Sequence, residues 1–335
     1  MKMTIKDIAR LADVSTATVS KVLNGKDEKI SDRTRNRIFA LVEEYNYVPN
    51  RIASSLVTKK TKTLGLIIPN IANPFFPEIA RGAEDLANER GYNLILCNTD
   101  DNLEKEESYI DMLEEKMVDG IIFTASSQRK DKLDRLSKVS VPVITVDREV
   151  IGLATQGKIV VDNVKGAYDA VNYLIESGYE QIVHVTGPMS SKPARDRLEG
   201  LKKALEENGL IFNEATVYSG EFKSEWGYEA VKQIFKNKVE IDALFCGNDL
   251  IAMGALKALR ELNLDVPNDI GLVGFDDIYM AQMLEPELTT VSQPNYEMGY
   301  QSAEMLIDMI ENKRKEAKPI ILDTKLIIRR STKKR

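Results

Sequence analysis

Polar side chains recur where short apolar runs of this chain end. Asn73-Pro74-Phe75-Phe76 follows one run, Asp147-Arg148 a second, Asn248-Asp249 a third and Asp276-Asp277 a fourth, while Arg195 and Arg197 open an amphipathic stretch after Gly187-Pro188. A carboxylate beside a guanidinium accepts from and donates to vicinal hydroxyls, and charge makes such hydrogen bonds stronger. Phe75 and Phe76 offer aromatic planes of the kind on which the apolar face of a pyranose or furanose ring stacks, although core packing accounts equally well for one of the two. This is the chemistry of holding a polyol. Catalytic chemistry is poorly served. The single histidine, His184, lies inside the apolar run Ile182-Val183-His184-Val185 and reads as a core residue. One His and two distant Cys give no metal-ligand spacing, and neither a G-x-S-x-G elbow nor a Walker loop occurs. Asp276 and Asp277 are neighbours, so they do not face one another across a bond. No enzyme, cofactor or metal is expected; a two-lobed sugar kinase, for example, would need a phosphate-binding Gly-rich loop.

A second group of residues suits a different partner. Thr4 with Asp7 three residues on forms a capping-box pattern, and Ser15 is a good N-cap. Ile5, Ile8, Ala9 and Ala12 recur at helical spacing, as do Val19, Val22 and Leu23. Ala9 and Ala12 are small enough for a close helix crossing, and Ala12-Asp13-Val14-Ser15 leaves room only for a tight turn. This is a helix-turn-helix, whose second helix enters a DNA major groove. Ser31 caps a third helix with Ile38, Leu41, Val42 and Tyr45 on one face. The stretch that follows, to Leu56, is only about two turns long and too poor in apolar positions to be helical alone.

Beyond it, strand candidates alternate with amphipathic helices. Strands are expected at Thr63–Pro69, Asn93–Asn98, Gly120–Thr124, Val143–Asp147 and Ile159–Asp162, then at Gln181–Gly187, Thr216–Ser219, Ala243–Gly247 and Ile270–Phe275. Helices are expected at Phe76–Gly91, Leu103–Lys116, Gly166–Ser177, Ala194–Asn208, Glu225–Lys236 and Asp249–Leu262. Such alternation gives parallel sheets covered on both faces, and two series give two α/β lobes. Ligands bind such sheets at the carboxyl ends of the strands, where the polar residues above fall.

Composition fits. At 335 residues, 43% apolar and 29% charged, the chain can bury two or three domain cores. No apolar run reaches membrane-spanning length, so no membrane association is expected. Residues 1–60 hold 12 Lys+Arg against 7 Asp+Glu, about +5, which leaves −11 of the net −6 on the remainder. A basic end on an acidic body fits a protein that meets phosphate at one end only, although plain solubility explains the acidic body too. Cys97 and Cys246 sit in apolar runs and read as buried free thiols in a reducing compartment.

These residues together resemble the LacI/GalR family of bacterial transcription regulators. The resemblance rests on Thr4-Ile5-Lys6-Asp7-Ile8-Ala9, on Val14-Ser15-Thr16-Ala17-Thr18-Val19-Ser20 and on Pro49-Asn50 through Leu56, and it covers essentially the whole chain. It implies an α/β protein with an all-α helix-turn-helix headpiece (1–48), a hinge helix and linker (49–61) and a two-lobed effector domain of the periplasmic-binding-protein type (62–335). The lobes would be discontinuous, lobe 1 at about 62–161 and 292–321, lobe 2 at about 162–291 and 322–335, with Asn295–Asn312 returning to the first. A periplasmic sugar-binding protein, the other rival, lacks the headpiece.

The resemblance also implies roles. DNA contacts would come from Thr4, Ser15, Thr16, Ala17, Thr18, Ser20, Lys21, Asn24 and Arg33, and from Asn50, Arg51, Ala53 and Leu56 in the hinge. Ala17 or the Thr16 methyl can touch a thymine methyl and Lys21 can reach guanine. The family usually carries Arg at that position, so a bidentate fork is lost here. Leu56 would wedge into the minor groove as the hinge folds on DNA. The effector would be held by Asn73, Asp147, Arg148, Arg197, Asn248, Asp276 and Gln293, with Phe75, Phe76 and Phe222 sandwiching its ring. That set is most similar to those of ribose-operon repressors, and implies a sugar-utilisation repressor responding to a ribose-like pentose; related clefts take hexoses, sugar acids, purines or a phosphoprotein. The partners implied are a near-palindromic double-stranded operator, a small sugar and a second copy of the chain. The homodimer would form through the helix after Asn73-Pro74, the helix Asp249–Leu262 and Ile278–Leu284, with no leucine-heptad tail for a tetramer and a frayed basic end after Ile328. With no signal peptide visible, a cytoplasmic, nucleoid-associated bacterial protein is expected.

Overall fold

Thr4 begins the first helix as its residue pattern requires. Its hydroxyl accepts from the Asp7 N–H while the Asp7 carboxylate accepts from the Thr4 N–H, a reciprocal cap on α1 (Ile5–Ala12). Asp13 takes a left-handed conformation, φ 55°, and turns the chain into α2 (Thr16–Leu23), capped by Ser15. Ser31 caps α3 (Asp32–Glu44) through the Thr34 N–H. This computed structural model describes residues 3–25, 27–48, 60–129, 134–149 and 155–333. The described residues form two compact units that divide between Thr61 and Lys62.

The first unit closes on Ile8, Ala9, Ala12, Val19, Val22, Ile38 and Tyr47. Tyr45 does not join them. It is 42% exposed, because α3 ends at Glu44 and the chain reverses through Asn46 at φ 46°; Tyr47 swings back to fill the core instead. The guanidinium of Arg37 donates to the Leu11 carbonyl at 2.8 Å, tying α3 to the end of α1.

In the second unit, strands and helices follow in turn: β1 (Thr63–Ile68), α4 (Phe75–Glu89), β2 (Asn93–Asn98), α5 (Leu103–Glu115), β3 (Gly120–Phe123), α6 (Asp134–Ser137), β4 (Val143–Val146), β5 (Gly157–Val161), α7 (Asn163–Glu176), β6 (Ile182–Thr186), α8 (Lys192–Glu207), β7 (Val217–Ser219), α9 (Ser224–Lys236), β8 (Ala243–Cys246), α10 (Asp249–Glu261), β9 (Gly271–Asp276), β10 (Thr289–Ser292), α11 (Asn295–Asn312), β11 (Ile320–Leu322) and β12 (Lys325–Ile327). They build two six-stranded sheets, β11-β5-β4-β3-β1-β2 and β12-β10-β9-β8-β6-β7. All pairs are parallel but β10–β12. Alternation along one strand feeds two faces: Leu64, Leu66 and Ile68 of β1 enter one core and Ile67 the other. In the second sheet Val183 and Val185 face one core, while His184 turns to the other and stacks on Phe245 at 4.8 Å.

The chain passes between lobes three times: from β5 to α7, from β10 to α11 and from β11 to β12. The three strands β10, β11 and β12 are short and carry no periodicity beyond their own length, and only the resemblance pointed to their neighbourhood. The C-terminal segment corrects an expectation. It is not frayed through its described part: Ser331 and Thr332 are buried, the Leu272 N–H donates to the Ser331 carbonyl at 2.8 Å and the Ser331 hydroxyl donates back to the Leu272 carbonyl at 2.6 Å. Ser331 thus ties the described end of the chain to β9.

Candidate functional site

Residues that follow several strand ends meet in the space between the lobes. Asn73, Phe75, Phe76, Asp147, Arg148, Arg197, Phe222, Asn248, Asp276 and Gln293 line one cavity, with Pro193 added. The cavity encloses about 260 Å³, part of it open to solvent.

Backbone geometry aims the two carboxylates. Asp147 sits at φ 64° directly after β4, and Asp276 at φ 115° as the last residue of β9. Non-glycine residues in this region cost of order 1–3 kcal/mol each and persist where the surroundings over-determine them. The two asparagines are fixed by the helices that they start. Asn73 accepts from the Phe75 N–H at 3.2 Å and Asn248 caps α10 by accepting from the Ile251 N–H at 2.9 Å. With both oxygens used, each offers its amide donors.

The guanidiniums are held just as firmly. Arg197, almost fully buried, donates from Nε to Asn163 Oδ1 at 2.9 Å and from Nη1 to the Gly247 carbonyl, stacks 3.7 Å over the Phe275 ring and lies 3.8 Å from Asp276 Oδ1. Arg148 donates to the Ala125 carbonyl at 3.2 Å and lies 3.5 Å from Asp147. Its guanidinium is 5.4 Å from the Phe76 ring and 5.4 Å from the Phe222 ring. So two of the three aromatics expected around a sugar ring embrace an arginine here, and Phe75 packs edge-on against Phe76 in the lobe core. Gly187 makes room for this: a Cβ there would fall 2.3 Å from the Phe222 ring.

Burial pushes the Asp276 carboxyl up to about 7, with Arg197 opposing and Asp147 adding to the rise. Burial also raises Asp147, against the pull of Arg148 and Arg197. Gln293 donates to Asp276 at 2.7 Å. Two buried polar atoms of the cavity residues make no hydrogen bond among the described residues: Gln293 Oε1, an acceptor, and Arg148 Nε, a donor.

Residues beneath the cavity were not singled out as site residues by the sequence. Asn163 positions Arg197, and fully buried Asp249 accepts from the Thr290 hydroxyl at 2.6 Å and from the Ile278 N–H at 2.8 Å. Burial holds Asp249 well above the usual carboxylate range. Its place beside Asn248 at a strand end was the available signal; nothing in the spacing marks Asn163 or Pro193. Asp277 turns away to pair with Arg329 at 2.7 Å. His184, fully buried with Nδ1 2.8 Å from the Phe245 carbonyl and pushed down to about 4 by burial, lies in the core. Cys97 and Cys246 are buried free thiols.

On the headpiece, Thr16, Ala17 and Lys21 form an exposed stripe on α2, with Asn24 and Arg33 also exposed. Four of the expected DNA contacts serve the fold as well. Thr4 and Ser15 cap helices, Thr18 exchanges a hydroxyl bond with Ser15 at 2.9 Å, and Ser20 accepts from Asn24. Asn50, Arg51, Ala53 and Leu56, and with them the expected hinge helix, lie outside the described residues.

Among the described residues no helix is long and apolar enough to cross a membrane, and no group of His, Cys, Asp or Glu is placed to hold a metal. Comparison with known proteins agrees with both halves of the molecule. Residues 4–50 match the family described as bacterial regulatory proteins, lacI family, and residues 61–330 the periplasmic binding proteins and sugar binding domain of LacI family. The HTH-type transcriptional regulator RegA of Clostridium acetobutylicum is 44% identical over 336 residues, covering 99% of this chain and all of that protein. The ribose operon repressor of Halalkalibacterium halodurans is 38% identical over 333 residues, 98% of this chain and 97% of that one. The lac repressor dimer bound to operator and the anti-inducer ONPF superposes with a TM-score of 0.86 at 26% identity, over 99% of each chain. The chain belongs to the LacI family and is a DNA-binding transcriptional regulator, not an enzyme.

Proposed function

We propose that the inter-lobe cavity takes a small neutral polyol, a ribose-like pentose, and that its occupancy sets the operator affinity of a homodimer that represses a sugar-utilisation operon. The observation that carries this reading is the pair of buried atoms without a hydrogen bond among the described residues, Gln293 Oε1 and Arg148 Nε, the latter held 3.5 Å from Asp147 Oδ2 by charge alone. An unmet buried polar group costs about 1–3 kcal/mol. A hydroxyl group donates and accepts at once, so adjacent hydroxyls answer both atoms. The two carboxyls and two guanidiniums that face the cavity can accept from and donate to the hydroxyls of one small polyol. A ribose operon repressor also stands among the relatives, although the RegA protein shares more identity.

Operator reading falls to Thr16, Ala17 and Lys21 by their exposure, with Asn24 and Arg33 on phosphates. Dimerisation uses the Ile278–Leu284 segment and the starts of α4 and α10. Tyr279 and Met283 stand 67% and 66% exposed there, while Met280, Leu250 and Met253 are spent within the chain against the first-lobe core. Sugar binding changes operator affinity only by its differential affinity for two lobe arrangements.

Calorimetry on the full chain with pentoses, hexoses, sugar acids and purines tests the reading. Ribose or another pentose is expected to bind; heat from a purine or sugar acid with none from any pentose overturns the effector assignment and leaves the regulator intact.

A further inference from the structure

Arg148 also lines a second inter-lobe cavity, of about 320 Å³, that the sugar reading does not use. Arg129, Arg148, Lys192 and Arg195 line it together with Glu149; Arg129 pairs with Glu106 at 2.7 Å, Arg148 lies 3.5 Å from Asp147, Lys192 pairs with Asp196 at 2.5 Å and Glu149 with Lys158 at 2.9 Å, which leaves Arg195 as the cation of this wall with no carboxylate partner among the described residues. The sixteen-residue helix α8 starts in the wall at Lys192. Its N-cap residue, Ser191, makes no side-chain capping bond. Ser191 is 5% exposed, lines the cavity, and its buried hydroxyl has no hydrogen-bond partner among the described residues. Arg195 donates only to main-chain carbonyls, those of Met189 and Ser190, each at 2.7 Å. The two lobes meet beside it, where the Ser190 hydroxyl donates to the Ser127 carbonyl at 2.7 Å.

A helix start, an unsatisfied buried hydroxyl and one guanidinium without a carboxylate partner among the described residues converge on one kind of ligand. Helix N-termini favour negative charge, and guanidiniums match the planar or tetrahedral faces of oxyanions. We propose that this second cavity is an oxyanion site for a phosphate-type group, separate from the polyol cavity, joined to it through Arg148 and bridging both lobes. The Ser191 hydroxyl donates to the anion and Arg195 supplies charge. The same chemistry is presented by free inorganic phosphate and by the phosphoryl group of a sugar phosphate.

The test is calorimetry of the full chain with inorganic phosphate at constant ionic strength, alongside Ser191→Ala, Ser191→Thr and Arg195→Ala. Phosphate is expected to bind the unaltered chain, about tenfold more weakly with Ser191→Ala and at least as much more weakly with Arg195→Ala, while Ser191→Thr restores binding. Absence of phosphate binding, or equal affinity in every variant, overturns the proposal. Unchanged melting temperatures separate loss of the site from loss of the fold. Ribose 5-phosphate identifies the source. A gain over ribose that vanishes in Arg195→Ala assigns the anion to the effector itself; simultaneous binding of ribose and phosphate assigns a separate ion. Because phosphate alone is the probe, failure of the pentose reading leaves this result interpretable.

Discussion

The headpiece and the cleft recognise by opposite means. On α2 the side chains proposed to read DNA stand in water: Thr16, Ala17 and Lys21 are exposed, and Lys21 forms no ion pair among the described residues. In the cleft, Asp147, Arg148, Arg197 and Asp276 are each less than a tenth exposed and are braced by Asn163, Gln293, Phe76, Phe222 and Phe275. The first surface can be altered one side chain at a time at little cost to folding. The second is a mutually dependent set of charges, where removing one group leaves another buried and unbalanced. DNA recognition should therefore respond to salt and to single side chains, and effector recognition to pH and to whole networks.

The largest effect expected from breaking this contrast is at Asp276. Asp276→Ala leaves Arg197 without its nearest carboxylate in the cleft and is expected to weaken binding of whichever sugar stabilises the unaltered chain by a hundredfold or more. Basal operator affinity should hold. Calorimetry and operator titration on the same preparation check both halves, and a retained sugar response would remove Asp276 from the site.

Next comes pH. Asp276 is raised to about 7 and Asp147 also upward. A carboxyl whose folded-state value is raised binds more protons in the folded than in the unfolded chain across the window from about 4 to about 7. Stability of the second unit without ligand should therefore fall as pH rises from 5 to 8. The melting temperature should drop by several degrees, and Asp276→Asn should flatten the slope. The headpiece lacks a buried carboxylate of this kind among its described residues, so its own transition should not share the trend.

Lys21→Ala sharpens the other side. A base-edge contact is worth about 1–3 kcal/mol, so operator affinity at matched salt should fall about tenfold or more, with sugar binding unchanged. Lys21→Arg adds a fork and should tighten binding where guanine lies opposite. The smallest effect is at Ser31, whose cap accepts from the Thr34 N–H. Ser31→Ala should cost about 1 kcal/mol of headpiece stability, read from its melting transition, and leave the body untouched.

The two regions also differed in how much could be read from residue types. Caps at Thr4, Ser15 and Ser31 are local signals, and the structure places each at a helix start. Tyr45 and Tyr47 exchanged roles because a two-residue difference past a helix end depends on a chain reversal at Asn46 that periodicity does not encode. In the body, polar residues stood out because they interrupt apolar runs or follow strand ends, and the seven expected polar contacts meet at one cavity with the three expected aromatics. The residues beneath them were harder. Asn163 becomes legible only once Arg197 is seen to need an acceptor. The aromatics Phe75, Phe76 and Phe222 all line the cavity, and residue type alone does not tell a ring that faces a guanidinium, as Phe76 and Phe222 do, from one that faces a ligand. Lobe crossings came from the family resemblance, since three-residue strands such as β11 and β12 leave no pattern of their own.

Those crossings have a mechanical consequence. β11 pairs with β5 at one edge of the first sheet, and β12 pairs with β10 at one edge of the second. The strands at which the links leave or enter, β5 and β11 in the first lobe and β10 and β12 in the second, are thus neighbours. A single tether would act as a swivel and let one lobe roll on the other. Three tethers side by side resist torsion and permit rotation about one axis, like the knuckles of a door. On the proposed reading, a ligand in the cleft would then move the first lobe along essentially one path, and its signal would have a direction as well as a size.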